Sequence, residues 1–315
     1  MSDNSAPSVV SVYAPASVGN IGPGFDTLGM AVTGMGDIIS GRFDTTLESD
    51  RIDRVSGAWT RIPDNPRENT ASIAARTFLD RLSIKTPFRM TIDKGVPGSG
   101  LGSSAASAVG GAFLAHSLAE GRGSLEEVLE AALVAESGVS GGIFLDNISA
   151  CLFGGVTVSH GDSRSALPVG SLSGVYLLFI IPKITLKTSE SRRILPAEVP
   201  LANAIGALSN ASGILAGLIR NDADLFCKRV SDPLIEPYRK TLIPGFDDLK
   251  QEALSAGASG FAISGAGSTT LALTPYQERL PLIKQRIEEV LTRHQIEASI
   301  IFSAIDPKGV RRVDS

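Results

Sequence analysis

The sequence predicts an α+β protein built as two domains. Three observations carry that reading. Strand-like and helix-like stretches are mixed along the whole chain. The chain has 315 residues, enough for one large domain or two ordinary ones. Between Gly161 and Ser173 the composition turns small, polar and unpatterned. The division is set there, giving domains 1–168 and 169–315.

The elements follow in order. After a short polar tail, Val9 to Ala14 forms a strand. Pro15 to Asp26 is punctuated by glycine and proline and must be a shaped loop. Leu28 to Val32 and Gly41 to Leu47 resume strand patterns. Pro63-Asp64-Asn65-Pro66 is a turn, and Asn69 or Thr70 caps a helix over Ala71 to Leu82. Phe88 to Lys94 alternates as a strand and leads into a glycine-rich loop, Gly95 to Gly102. Ser103 or Ser104 opens a small-residue helix, Ala105 to Leu118. Leu125 to Val134 is another helix, broken by Gly138 to Gly142. Ile148 to Phe153 is short and apolar, and Gly155 to Ser159 is a strand.

The second half opens with the strand Val175 to Ile181. Helices follow at Leu201 to Leu218, Asp222 to Val230 and Phe246 to Ala256. The strand Gly260 to Ile263, a second glycine turn at Ser264 to Gly267, and the strand Thr269 to Leu273 come next. The helix Pro275 to His294 and the strand Ala298 to Ser303 close the chain.

Composition excludes several functions. Hydrophobic residues make up 43% and charged residues 20%, which fits a packed core and not a disordered chain. The net charge of -4, with no long basic run, argues against a nucleic-acid partner. Two cysteines, Cys151 and Cys227, make no disulfide framework, and three scattered histidines make no zinc site. The first residues lack an apolar signal region, and the longest apolar run, Val175 to Pro182, is too short to span a bilayer. A cytoplasmic protein without membrane contact is expected.

The strongest local signal is Pro97-Gly98-Ser99-Gly100-Leu101-Gly102-Ser103-Ser104-Ala105-Ala106. Glycines let the backbone approach an anion and turn through positive φ. The helix start beyond them offers N–H groups and the positive end of a dipole. Two serine hydroxyls suit phosphate oxygens or magnesium, and Lys94 adds a charge just before the loop. The segment lacks the Gly-Lys-Ser/Thr ending of a Walker A loop and the full dinucleotide fingerprint.

Pro97 to Ala106 resembles the phosphate-binding motif of the GHMP kinases. Pro15 to Asp26 resembles that family's first motif in its homoserine-kinase form, and Ile263 to Thr269 resembles the third. Thr188 to Pro196, Ile235 to Arg239 with Ile243 to Phe246, and Asp146-Asn147 with Gly154-Gly155 are similar to segments of the same branch. The resemblance runs across nearly the whole chain. It implies an N-terminal domain like domain 2 of ribosomal protein S5, holding ATP, and a ferredoxin-like C-terminal domain. It also implies a magnesium-dependent kinase with L-homoserine as acceptor, and homodimers occur among the relatives.

By the same resemblance, Ser104 and Glu136 coordinate Mg2+, with Ser103 as the alternative ligand. Pro97, Gly98, Ser99, Gly100, Leu101, Gly102, Ser103, Ser104 and Ala105 wrap the ATP phosphates. Asn69 falls near the adenine, or else is a helix cap, and Lys94 falls close to the nucleotide. Arg192 and Arg239 hold the substrate carboxylate, with Arg193 the alternative to Arg192. Asn20, Asp26 and Asn147 hold the ammonium and hydroxyl ends. Thr188 either contacts the substrate or caps a turn. Asn147 stands where other members carry an aspartate base, so no dedicated base is expected. Asp146, next to it, is expected to face elsewhere.

Two departures bear on the acceptor. Phe144-Leu145-Asp146-Asn147 replaces the His-Ala-Asp-Asn of homoserine kinases, and Gly267-Ser268-Thr269 replaces Gly-Pro-Thr. A different small alcohol is therefore the second candidate acceptor. A nucleotide-binding sensor without catalysis is the third reading, opposed by the presence of Ser104 and Glu136.

Overall fold

The computed structural model describes residues 9–57, 62–98, 100–140, 144–184, 186 and 188–314. Its class is α+β, with one large mixed sheet and one smaller antiparallel sheet. The chain begins with β1 (Val10–Gly19), which runs antiparallel to β2 (Leu28–Phe43). β1 passes through Pro15, where a loop was expected. The ladder shifts register between Pro15 and Ala16, so the residue without an N–H falls at a bulge. The loop proper is Asn20 to Thr27.

β2 is one strand of sixteen residues, where two separate stretches were expected. Its glycines and Asp37 interrupt the apolar alternation, and its pairing with β1 skips Thr33 to Met35, where the ladder changes register. One end pairs β4 (Phe88–Lys94) and the other pairs β5 (Val156–His160). Among the strands that escape the sequence pattern are β3 (Arg51–Gly57), parallel to β4, and β6 (Ser165–Gly170), antiparallel to β5. Both are edge strands with largely exposed side chains, so no hydrophobic alternation marks them. The expected division at 168/169 falls inside β6, which stays in the first sheet to Gly170.

Four helices cover the first sheet: α1 (Thr70–Arg81), α2 (Ser103–Leu118), α3 (Leu125–Ser140) and α4 (Leu145–Phe153). α2 is the central one. Its alanines, glycines and serines are buried on nearly every side, which explains a sequence without a polar face. A Cβ on Gly111 would lie 2.0 Å from the Ala71 carbonyl oxygen, so α1 and α2 meet backbone to backbone. α3 continues past Gly138, where a break was expected, and the apolar run from Ile148 is helical.

The second sheet has the order β10-β7-β9-β8, antiparallel throughout, from β7 (Tyr176–Pro182), β8 (Gly260–Ile263), β9 (Thr270–Thr274) and β10 (Ala298–Ala304). β7 is buried on both faces. Leu178 and Ile180 join a core with Phe246, Phe261, Ile283 and Ile287, while Leu177, Phe179 and Ile181 join the larger core of the first sheet. That double burial is why Val175 to Pro182 is uninterrupted hydrophobic sequence. Helices α5 (Thr188–Arg193), α6 (Leu201–Ile219), α7 (Ala223–Arg229), α8 (Glu236–Arg239), α9 (Phe246–Ser255) and α10 (Leu280–Arg293) complete the second half. The chain then returns to the first sheet, where β11 (Arg311–Val313) pairs with β1. The packing of the two sheets brings the loop after β1, the glycine loop before α2 and the Ser264–Gly267 turn to one place.

Candidate active site

The glycine loop rests on a buried ion pair. Lys94, at the end of β4, gives its ammonium to the Asp37 carboxylate, to the Ser103 carbonyl (3.0 Å) and to Ser107 Oγ (2.9 Å). Asp37 accepts the Gly95 and Val96 N–H groups with its other oxygen. Lys94 is 1% exposed, so it is sealed beneath the loop and does not face a nucleotide as expected. Register explains the pair: β2 and β4 align Ile38 with Asp93, which sets Asp37 beside Lys94. Asn69 takes the second of its two expected roles, the helix cap. Its side chain caps α1 by accepting the N–H groups of Ala71 and Ser72, and it donates to the Pro63 carbonyl.

Above this base the loop is pinched between two neighbours. Ser17 donates its N–H to the Leu101 carbonyl, and Ser264 Oγ donates to the Gly100 carbonyl at 2.6 Å. Gly100 and Gly102 have φ of 97° and 66°, and a Cβ on either would lie 2.2 Å from a neighbouring oxygen. Only glycine meets both demands. Gly102 is also the N-cap of α2 and supplies no side-chain cap, so the helix start opens toward the cleft.

The two serines divide their work. Ser103 Oγ donates back to the Val96 carbonyl, and Ser104 Oγ donates to Glu136 Oε2 at 2.5 Å. Glu136 lies on α3 and is 2% exposed. Opposite it, Asn147 in the first turn of α4 accepts the Ser17 hydroxyl at 3.1 Å.

The loop after β1 supplies the other wall. Asn20, Ile21 and Asp26 all have positive φ, an uncommon state for residues with a Cβ and a strained one for β-branched Ile21. Asn20 clasps this loop: its Oδ1 accepts the Asp26 N–H and its Nδ2 donates to the Gly265 carbonyl. Asp26 accepts two bonds from Arg192 Nη2, at 2.8 and 3.0 Å. The guanidinium groups of Arg192 and Arg239 both lie over the Phe25 ring, 5.5 and 5.2 Å from its centroid. Arg239, only 4% exposed, is fixed by the Ser191 and Gly265 carbonyls. Its burial pulls the guanidinium pKa down, opposed by the charge of Asp26.

One cleft of about 260 Å³ gathers these groups. Of the expected residues, Asn20, Asp26, Gly100, Gly102, Ser103, Ser104, Ala105, Glu136, Asn147, Thr188, Arg192 and Arg239 line it. Pro97, Gly98 and Leu101 do not, although Leu101 anchors the loop through its backbone. Ser99 lies outside the described residues. Phe144 lines the cleft at the start of α4, without capping it. Arg193 is not among the lining residues.

Asp146 overturns an expectation: it lines the cleft and does not face elsewhere. Its two oxygens accept the N–H groups of Asn20 (3.0 Å) and Asn147 (2.9 Å), tying the substrate loop to α4. The signal available was its place beside Asn147 in one helical turn. Burial pushes the Asp146 carboxyl up to about 6; the two N–H bonds oppose this and Asp26 adds to it. A carbon-13 titration should find its midpoint near 6, and Asp26→Asn should lower it. A midpoint near the ordinary 3.8 would refute this reading. Because the folded-state pKa is raised, the group's contribution to stability is complete below 3.8 and is lost as pH rises through about 6. The loss amounts to about 3 kcal/mol.

The family model for the GHMP kinases N terminal domain matches residues 69–155, and the model for GHMP kinases C terminal matches residues 214–293. Homoserine kinase of Chloroherpeton thalassium is 32% identical over 96% of this chain and 98% of its own. Homoserine kinase of Arabidopsis thaliana is 34% identical over 97% of this chain and 85% of its own. The crystal structure of homoserine kinase from Cytophaga hutchinsonii superposes with a TM-score of 0.91 at 33% identity, covering 99% of this chain and all of that one.

Proposed function

The chain belongs to the GHMP kinase family, and from that premise we propose its reaction: transfer of the γ-phosphoryl group of ATP to the hydroxyl of L-homoserine. The product is O-phospho-L-homoserine, on the way to threonine, and the place of action is the cytoplasm. One observation carries the choice of acceptor. The cleft is lined by two guanidinium groups and a carboxylate together with the glycine loop, Ser104 and Glu136. A zwitterion with a terminal hydroxyl matches that charge pattern, since a carboxylate seeks Arg192 and Arg239 and an ammonium seeks Asp26. The phosphate loop belongs to the proposed unit 1–168 and the arginines to 169–315, which gives a cleft between domains the usual role of a binding site.

The Ser104–Glu136 pair suits magnesium. Among the described residues no group of three or more His, Cys, Asp or Glu side chains is assembled for a metal. Two protein oxygens are what a magnesium ion needs when phosphates and waters complete its shell. When bound, the ion neutralises charge on the phosphates. Glu136 and Ser104 would hold it, while the α2 start and the loop N–H groups orient the triphosphate.

Asn147 carries an amide that takes no proton at neutral pH, so the hydroxyl attacks without a dedicated base and its proton passes to phosphate or water. Asp146 acts here as a positioning residue, both oxygens engaged by backbone N–H groups.

Phe144 favours a second reading, an acceptor with an apolar group facing it. A coupled ADP-release assay separates the two, run with L-homoserine, D-homoserine, L-threonine, mevalonate and shikimate. Clear preference for L-homoserine is expected, and Phe144→His should lower its KM. Preference for another alcohol would reject the proposal.

A further inference from the structure

Phe25 is not among the residues that line the cleft, yet its half-buried ring meets the two arginines that do. Arg192 comes from α5 and Arg239 from α8, while Phe25 stands in the loop after β1. One ring thus joins two helices of the second half to the first.

The loop presents this ring in a fixed way. Gly24, just before it, donates its N–H to the Asn20 carbonyl at 2.9 Å, and its own carbonyl accepts the Thr27 and Leu28 N–H groups. Asp26, just after it, is held through its N–H by Asn20 Oδ1 at 2.9 Å. The Phe25 carbonyl accepts the Thr27 hydroxyl at 2.8 Å.

Arg192 and Arg239 are like charges near enough to disfavour one another. Burial pulls the Arg239 pKa down, Asp26 opposes this, and Arg192 pulls it down further. A second carboxylate would relieve the strain, but it would occupy N–H groups and repel an incoming anion. An aromatic ring attracts a cation through the negative charge on its face and has no net charge to set against a ligand. With the zwitterionic acceptor proposed above as premise, we infer that Phe25 is a positioning residue: its ring holds Arg192 and Arg239 together and leaves N–H groups on both for the acceptor's carboxylate. A leucine could fill the same space, so the test must separate the ring's charge from its bulk.

Phe25→Leu should raise the KM for L-homoserine about ten- to thirtyfold, with kcat and the KM for ATP within about twofold of the wild type. Phe25→Tyr keeps the ring and should stay within about threefold. In an Arg239→Gln background Phe25→Leu should cost only about two- to fivefold, because Arg192 alone is left to the ring. A fluorine series holds the shape nearly constant. With Phe25 replaced by 4-fluoro-, 3,5-difluoro- and 3,4,5-trifluorophenylalanine, each fluorine drains charge from the ring face, and the homoserine KM should climb at every step. A KM flat across the series, or a Phe25→Leu enzyme that matches the wild type, would overturn the proposal and leave the ring as packing.

A crystal structure of Phe25→Leu without acceptor reads the same role independently of the substrate. The two guanidinium groups should move apart, with Arg192, the more exposed, leaving its place. Both groups unmoved would overturn the proposal equally. Should L-homoserine fail in the alcohol panel, the reaction proposed above falls, and this structure still decides the role of Phe25.

Discussion

Arg239→Gln should cost the kinase more than any other change in the substrate half of the cleft. The guanidinium is almost wholly buried, held by two carbonyls and covered by the Phe25 ring. A carboxylate arriving there meets a charge already desolvated and fixed in direction. Removing one member of such a pair typically costs about 2–5 kcal/mol, which is roughly 30- to 4000-fold in kcat/KM. The loss should appear mainly in the KM for L-homoserine, with the KM for ATP nearly unchanged. Arg192 is a different case. Its side chain is 49% exposed and already pairs with Asp26, so water screens it and a rival carboxylate occupies it. Arg192→Gln should cost only about tenfold. Steady-state kinetics with both substrates varied would test the ranking, and thermal melts would exclude unfolding. If Arg192→Gln proves the more damaging, or if Arg239→Gln leaves the homoserine KM untouched, the zwitterion reading of this end fails.

What could be read from the residues beforehand follows the chemistry of the backbone. Gly100 and Gly102 were legible because left-handed turns and contacts too close for a Cβ leave glycine as the one tenant. β7 was legible because burial on both faces writes itself as continuous apolar sequence. β3 and β6 were not, since an edge strand held by backbone bonds has no need of a pattern. The cleft shows the same division. Arg192, Arg239, Ser104 and Glu136 came from motif positions, and the fold brings them together. Lys94 carried the right charge for a phosphate site, but its neutralising partner lies 57 residues away on another strand. That pairing exists only through the register of β2 and β4. Asp146 was hidden for a related reason. Helix α4 begins at Leu145, and only that starting point turns the Asp146 carboxylate toward Asn20 and the cleft.

Glu136→Gln should reduce kcat by about 10²- to 10³-fold, the usual cost of removing one preorganised charge stabiliser from a transfer site. Glutamine keeps the shape of the side chain and one carbonyl oxygen for the Ser104 hydroxyl, so the contact seen at 2.5 Å can survive. What it lacks is the negative charge. That charge, held in a nearly sealed position on α3 beside the Ser104 hydroxyl, is what a magnesium ion at the site would use. Ser104→Ala removes a neutral oxygen and should do less harm than Glu136→Gln. Both variants should need more Mg2+ to reach half of their own maximal rate, and calorimetry without metal should find nucleotide binding little changed. Raising Mg2+ should rescue Ser104→Ala more fully than Glu136→Gln, since a missing dipole is more easily replaced by water than a missing charge. If Glu136→Gln keeps wild-type kcat at every Mg2+ level, the carboxylate is a strut between α2 and α3, and the cation must find its protein oxygens elsewhere.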